Sequence, residues 1–190
     1  IMYTSGSTGD PKGVVLSHAN IIAGLAGVST TVRRGFIGYG DRVISFLPLA
    51  HIFELVFELL GYYWGGIVGY ASVKTLTDKS CRNCEGDMVA FKPTIMVGVA
   101  AVWETVKKGI LHQIDTLPAF KQKMFWAAYN TKAACKKYSI PFVPSLLDNI
   151  IFKKIQQATG GNLRWTLNGG SPISGFTQRF ISYTIAPMLI

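Results

Sequence analysis

Seven short β-branched or apolar runs alternate along this 190-residue chain with longer segments of helical periodicity. That alternation limits the fold more than any other feature. The strand-like runs are residues 1–4, 14–16, 43–47 (VISFL), 67–70 (IVGY), 94–98 (TIMVG), 165–168 (WTLN) and the apolar run that closes the sequence. Helix-compatible segments lie near 18–32, 51–63, 85–91, 100–112, 119–138, 146–158 and 174–184. Ser17 and Ser174 stand where N-caps of the first and last of these would be. Strands alternating with helices predict an α/β fold, mostly parallel sheets flanked by helices. With 49% hydrophobic and only 15% charged residues, the chain is too apolar for disorder. Both ends are apolar and lack caps, so residues 1–190 are expected to be a central piece of a larger domain, incomplete at both ends.

The formal charge of +9 is unevenly placed. Basic and acidic side chains balance over residues 1–106. Residues 107–154 hold nine lysines against Asp115 and Asp148, a local excess of +7. Such asymmetry suits either a solvated helical surface or a face that meets anionic lipid, phosphate or nucleic acid. Within it, the segment 120–138 places Phe120, Met124, Phe125, Ala128 and Tyr129 on one side, as an interfacial helix would. No nucleic-acid-binding motif is visible, and nucleic acid is not expected as a partner.

Cys81, Cys84 and Cys135 do not make a disulfide framework. The CRNC run at 81–84 has metal-like spacing but lacks the second pair a structural zinc site needs. A reducing compartment is the simpler inference. The most membrane-like stretch, residues 59–73, is shorter than the ~20 residues a spanning helix needs and is expected to be buried core.

The richest chemistry lies in YTSGSTGDPKGVV, residues 3–15. Gly6, Gly9 and Gly13 give the backbone freedom to aim several N–H groups at one anion. Thr4, Ser5, Ser7 and Thr8 add hydroxyl donors, and Lys12 adds positive charge. Hydrogen bonds to a charged group contribute roughly 1.5–3 kcal/mol each, enough together to hold a triphosphate. Pro11 before Lys12 and Gly13 after it exclude the Walker loop, and the glycine spacing excludes the dinucleotide fingerprint. Asp10, Pro11, Lys12 and Gly13 have the composition of a type I turn, which would direct the Asp10 carboxylate away from a bound phosphate.

At these residues IMYTSGSTGDPKG (1–13) resembles the signature loop of the adenylate-forming, AMP-binding superfamily. The resemblance implies that Thr4, Ser5, Gly6, Ser7, Thr8, Gly9 and Lys12 bind the β- and γ-phosphates of ATP. FLPLAHIFELVFELL (46–60) resembles the family's second segment in the form used by long-chain fatty acid–CoA ligases, and places His51 near the reacting carboxylate and the CoA route. From the residues alone, a helix starting near Ala50 would set His51, Glu54, Leu55 and Glu58 on one face. That face fits a weak metal cluster or a local His51–Glu54 hydrogen bond that fixes the ring. LNGGSPIS (167–174) resembles the third segment, where Gly169, Gly170 and Ser171 meet the nucleotide and a flat ring can stack on bare backbone. Residues 92–110 and 56–77 also look like the long-chain group, especially its fungal members. They suit the walls of an acyl tunnel and ordinary core equally.

The resemblance thus implies a piece of the large N-terminal domain of an AMP-forming long-chain fatty acid–CoA ligase. Its substrates would be a long-chain fatty acid, ATP and CoA, with Mg²⁺ held by a residue beyond Ile190 and no metal ligand in this segment. The family's C-terminal domain is not in the sequence, so the piece by itself is expected to be inactive. Two other readings stay open: a related adenylating enzyme with a different carboxylate substrate, and a non-catalytic basic module that binds membrane. The implied location is intracellular, either cytoplasmic or peripheral on a membrane such as endoplasmic reticulum, lipid droplet or peroxisome.

Overall fold

The computed structural model describes residues 1–4, 9–31, 37–78, 81–140 and 143–190. Strands β1 (Met2–Tyr3) and β2 (Gly13–Val14) pair with each other, Met2 opposite Val14 and Tyr3 opposite Gly13. They are antiparallel and form a two-stranded sheet of their own, the one departure from the parallel pattern among the described strands. Helix α1 (His18–Thr31) follows, and the Ser17 hydroxyl accepts the Asn20 N–H at 3.1 Å as its cap.

The remaining strands are β3 (Arg42–Ser45), β4 (Ile67–Tyr70), β5 (Ile95–Gly98), β6 (Trp165–Asn168) and β7 (Met188–Leu189). They form one parallel sheet in the order β4-β3-β5-β6-β7. The chain runs outward from β3 to β4 through α2 (Ile52–Tyr63). It then crosses back past β3 to β5 through α3 (Asp87–Phe91). From there it builds in the other direction through α4 (Ala100–Asp115), α5 (Ala119–Lys137), α6 (Val143–Leu147), α7 (Lys153–Ala158) and α8 (Gly175–Thr184).

This reversal covers both faces of the central strands, which is why their sequences are continuous apolar runs rather than alternating ones. Val43, Ile95 and Val97 look one way and pack with Phe57 of α2, with Phe53, Trp64, Trp165 and Leu167 beside them. Their neighbours Ile44 and Met96 look the other way, into a core with Trp103, Phe125, Phe152 and Phe180. The Phe125 ring meets that of Phe152 edge-on at 5.5 Å between centroids. Each strand therefore contributes alternate residues to two separate cores.

Two sequence expectations change here. The segment expected as one helix over 146–158 is divided by a π-helical turn, Asp148–Phe152, between α6 and α7. The wider turn presents Asp148 and Phe152 together to Lys132 of α5, which is only 5% exposed. Lys132 donates to Asp148 and, at 2.7 Å, to the Tyr183 carbonyl, and lies 5.1 Å from the Phe152 ring centre. A buried ammonium needs such partners, and the π turn supplies two of them. Second, Phe125, Ala128 and Tyr129 of α5 are buried, so that side of the helix is core rather than an interfacial face. Phe120 and Met124 alone of the five proposed apolar residues are exposed. Residues 59–73 are also less buried than expected. Leu60 and Gly61 are inside, but Tyr62, Tyr63, Ile67, Tyr70 and Val73 are exposed, Ile67 and Tyr70 on β4, which pairs on one side only among the described strands.

The amino-terminal edge of the sheet is fastened by one carboxylate. Asp41, just before β3, accepts the Gly38 N–H at 2.9 Å, the Thr94 hydroxyl at 2.7 Å and Arg164 Nη2 at 2.6 and 2.7 Å. Thr94 precedes β5 and Arg164 precedes β6, so the group ties three strand starts together. Burial pushes the Asp41 carboxyl up, but the hydrogen bonds from Thr94, Arg164 and Gly38 outweigh it and hold the group below its ordinary value of 3.8. A depressed acid stabilises the folded state fully above its unfolded value and loses that contribution as pH falls through the folded one. Asp41→Asn is expected to lower the stability of the full-length protein by about 2 kcal/mol at pH 7. In thermal melts, the gap between wild type and variant should close as the pH falls below 3.8.

Candidate functional site

In an open parallel sheet the natural binding crevice lies beyond the carboxyl ends of the strands, where the winding direction reverses. Here that point is between β3 and β5, and the β6 end adjoins it. The three segments leaving these strands carry His51, Val99–Ala100 and the 168–171 turn.

His51 is the N-cap of α2 rather than a residue within the helix. Its N–H bonds to the Pro48 carbonyl at 2.9 Å, and its Nδ1 accepts the Phe53 N–H at 3.2 Å. An accepting Nδ1 fixes the tautomer with hydrogen on Nε2, so the exposed imidazole offers a donor outward. A side-chain hydrogen bond between His51 and Glu54, one of the alternatives, is not made; only the Glu54 N–H bonds to the His51 carbonyl, at 3.1 Å. The cap turns Nδ1 to the backbone, while Glu54 turns inward and is 3% exposed. Ser45 Oγ donates to Glu54 Oε1 at 2.5 Å and lies 3.4 Å from Glu58 Oε2. Glu58 accepts from Tyr70, whose hydroxyl is 2.6 Å from that of Tyr62. The Glu58 carboxylate first, then Tyr62, holds the Tyr70 phenol above its ordinary range. Burial raises the Glu54 carboxyl above 4.5 despite the opposing bond from Ser45. His51, Glu54 and Glu58 do not form a metal cluster, and no group of three or more such ligands occurs among the described residues.

The 168–171 turn comes within reach of His51. A Cβ placed on Gly170 would lie 3.6 Å from His51 Cε1 and 3.7 Å from Val99 Cγ1. Gly170 has φ +73, a conformation that favours glycine. Gly169 also makes room for a neighbouring side chain. A Cβ there would fall 2.2 Å from the Phe53 ring, so the flat ring already resting on this glycine is the protein's own. Ser171 Oγ accepts the Ala100 N–H at 3.2 Å, which caps α4 from a residue far along the chain. Asn168 Nδ2 donates to the Ser171 carbonyl at 2.9 Å, while its Oδ1 is buried with no partner among the described residues. Ser174 caps α8, accepting the Thr177 N–H at 3.1 Å, so α2, α4 and α8 all begin at this edge.

The glycine-rich loop stands apart. Thr4 N–H donates to the Lys12 carbonyl at 3.0 Å, which closes the base of the loop, and Gly9 has φ +139. Thr4, Gly9 and Lys12 are all exposed. No hydrogen bond among the described residues joins them to the His51–Gly170 junction. Ser5, Gly6, Ser7 and Thr8 lie outside the described residues. The bend falls at Gly9–Asp10 rather than across residues 10–13, because Gly13 is already extended in β2 against Tyr3. Two cavities of about 410 and 230 Å³ open near α7, and neither is lined by a residue of the crevice. Sequence reasoning missed the inward turn of Glu54 and the roles of Ser45 and Asn168. The one available signal was the Glu three residues after the cap, which usually reaches back to the cap N–H.

Comparison with known proteins identifies the family. The model of the AMP-binding enzyme family matches residues 1–189, and the chain belongs to that family. It is 65% identical over its whole length to long-chain-fatty-acid–CoA ligase 1 of Saccharomyces cerevisiae and 61% identical to ligase 4 of that organism. It spans 27% and 26% of the lengths of those two relatives. Among solved structures, it is similar to the adenylation domain of a carboxylate reductase from Mycobacterium chelonae. That match has TM-score 0.67 and 20% identity, over 99% of this chain and 25% of that one. The structural likeness supports the fold, an adenylate-forming α/β domain.

The turn yields a direct expectation. Gly169→Ala must push Phe53 aside and is expected to cost about 2 kcal/mol in the full-length protein. In the same thermal melts Gly170→Ala, strained by its φ but unobstructed, should cost about 1 kcal/mol.

Proposed function

We propose that the intact protein is a long-chain fatty acid–CoA ligase and that residues 1–190 form a central part of its AMP-binding domain. In the first step the fatty carboxylate attacks the α-phosphate of ATP, giving acyl-adenylate and pyrophosphate. In the second, CoA thiolate attacks the acyl carbon, forming the thioester and releasing AMP. The observation that carries this reading is the meeting of His51 with the Gly170 turn at the switch point of an AMP-binding fold. The identity with long-chain-fatty-acid–CoA ligases favours a long acyl chain over an aryl or amino acid.

This chain's residues would act as follows. The Thr4–Lys12 clasp closes the glycine-rich loop, and Thr4, Ser5, Gly6, Ser7, Thr8, Gly9 and Lys12 supply donors and charge for the phosphates of ATP. Gly169, Gly170 and Ser171 shape the nucleotide side of the crevice. Asn168, donating to the Ser171 carbonyl, holds that turn in shape. His51, with its Nε2 hydrogen outward, orients the acyl carboxylate at the junction with CoA. The amino ends of α2, α4 and α8 add partial positive charge to an edge that must receive anions. Bound Mg²⁺ would neutralise phosphate charge, with its ligand expected outside these residues.

The full-length protein is expected to catalyse palmitate-dependent ATP–pyrophosphate exchange and to form palmitoyl-CoA. His51→Ala should lower kcat by about 10- to 100-fold. Preference for an aryl acid in a substrate panel would overturn the assignment.

Membrane contact through this segment would fall at the α4–α5 corner. There Leu117, Phe120 and Met124 are 39%, 75% and 42% exposed beside Lys121 and Lys123. No described helix is long and apolar enough to cross a membrane. Phe120→Ser is expected to weaken binding of the full-length protein to anionic liposomes by about tenfold, with wild-type binding falling as salt rises.

A further inference from the structure

The buried carboxylate of Glu54 is left without a role by the reading above. It is the third residue of α2, where a glutamate after a polar cap usually reaches back to the cap N–H. That N–H is already taken, since His51 N donates to the Pro48 carbonyl. Glu54 instead crosses to the other end of the connection between β3 and α2. Its carboxylate accepts the Ser45 hydroxyl at 2.5 Å, and the nearby backbone of Leu47 and Phe46 favours its charged form. Ser45 is the last residue of β3, and residues 46–51 form the whole link from strand to helix. One side chain therefore fixes the departure of the link from the sheet, while its own helix begins at the cap that ends the link.

We infer that Glu54 is the positioning residue for His51, clamping the β3–α2 link so that the imidazole faces the Gly170 turn; this rests on the proposed role of His51. The clamp has a reason to be buried and polar. A carboxylate can accept the Ser45 hydroxyl at the end of the strand, and no apolar side chain could take that bond. Glu58, one turn on, does not substitute for it. Its carboxylate is directed to Tyr70, with only a 3.4 Å approach to Ser45. The inner and outer carboxylates of α2 thus divide the ends of β3 and β4 between them. His51 gains two constraints: the cap bond from Phe53 sets the ring, and the clamp sets the backbone that carries it.

The experiment uses the full-length protein and palmitate. The kcat for palmitoyl-CoA formation, the KM for ATP and the melting temperature are read for wild type, Glu54→Gln, Glu54→Ala, His51→Ala and the His51→Ala/Glu54→Ala pair. An imidazole displaced by about 1 Å costs on the order of 100-fold in rate. Glu54→Ala is therefore expected to lose 10- to 100-fold in kcat with less than about a threefold change in KM for ATP. Glu54→Gln, which keeps an acceptor for Ser45, should recover much of that loss. In the His51→Ala background, Glu54→Ala should cost no more than about twofold further, because the two changes remove one function. Full additivity in the pair, or loss of kcat that merely follows loss of folded protein, overturns the inference. A wild-type protein that forms no acyl-CoA would instead overturn the proposed function, and an unimpaired His51→Ala would overturn the role of that histidine.

Discussion

The pairing of β3 with β5, Val43 opposite Ile95 and Ile44 opposite Met96, is the contact on which the rest of the chain depends. It joins strands separated in sequence by β4, two helices and a long loop, and it is where the winding reverses. Without it Val43 and Ile44 would belong to a lone β-α-β unit with β4 and could not bury opposite faces. With it, each central strand feeds two cores, and the segments after β3 and β5 emerge side by side. The crevice follows from the sheet order before any functional residue is considered.

The two ends of β3 illustrate how charge is divided between stability and chemistry. At the amino end, Asp41 gathers more donors than its burial costs and stays readily ionised. At the carboxyl end, Glu54 is more deeply enclosed, has Glu58 nearby, and is held toward the neutral form. Both join segments distant in sequence, but the first fastens strand starts and the second governs a connection that carries an exposed imidazole. Lys132 repeats the logic in the helical layer, where a break in helical regularity brings an anion and an aromatic face to one buried cation.

Much of this was legible in the sequence. The β5 and β6 strands, α2 and α8 fall within a residue or two of their expected limits because apolar runs and Ser caps are local signals. His51, Gly170 and Ser171 could be named from motifs, and they do converge. What stayed hidden depends on direction rather than identity. The sequence places Glu54 on the same helical face as His51, but only the end of β3 pulls it inward. Gly169 is visible as a glycine, yet the ring that needs its bareness comes from α2. The π turn at Asp148–Phe152 has no local signature, since its cause, Lys132, lies on another helix.

The contact between Phe53 and Gly169 has a mechanical consequence. With no side chain between ring and backbone, α2 and the 168–171 turn are in direct register, and close-packed interiors transmit displacement rather than absorb it. A tilt of α2 therefore carries the turn with it. His51 rides on the same helix end, so both walls of the crevice move together and keep their spacing when that helix shifts.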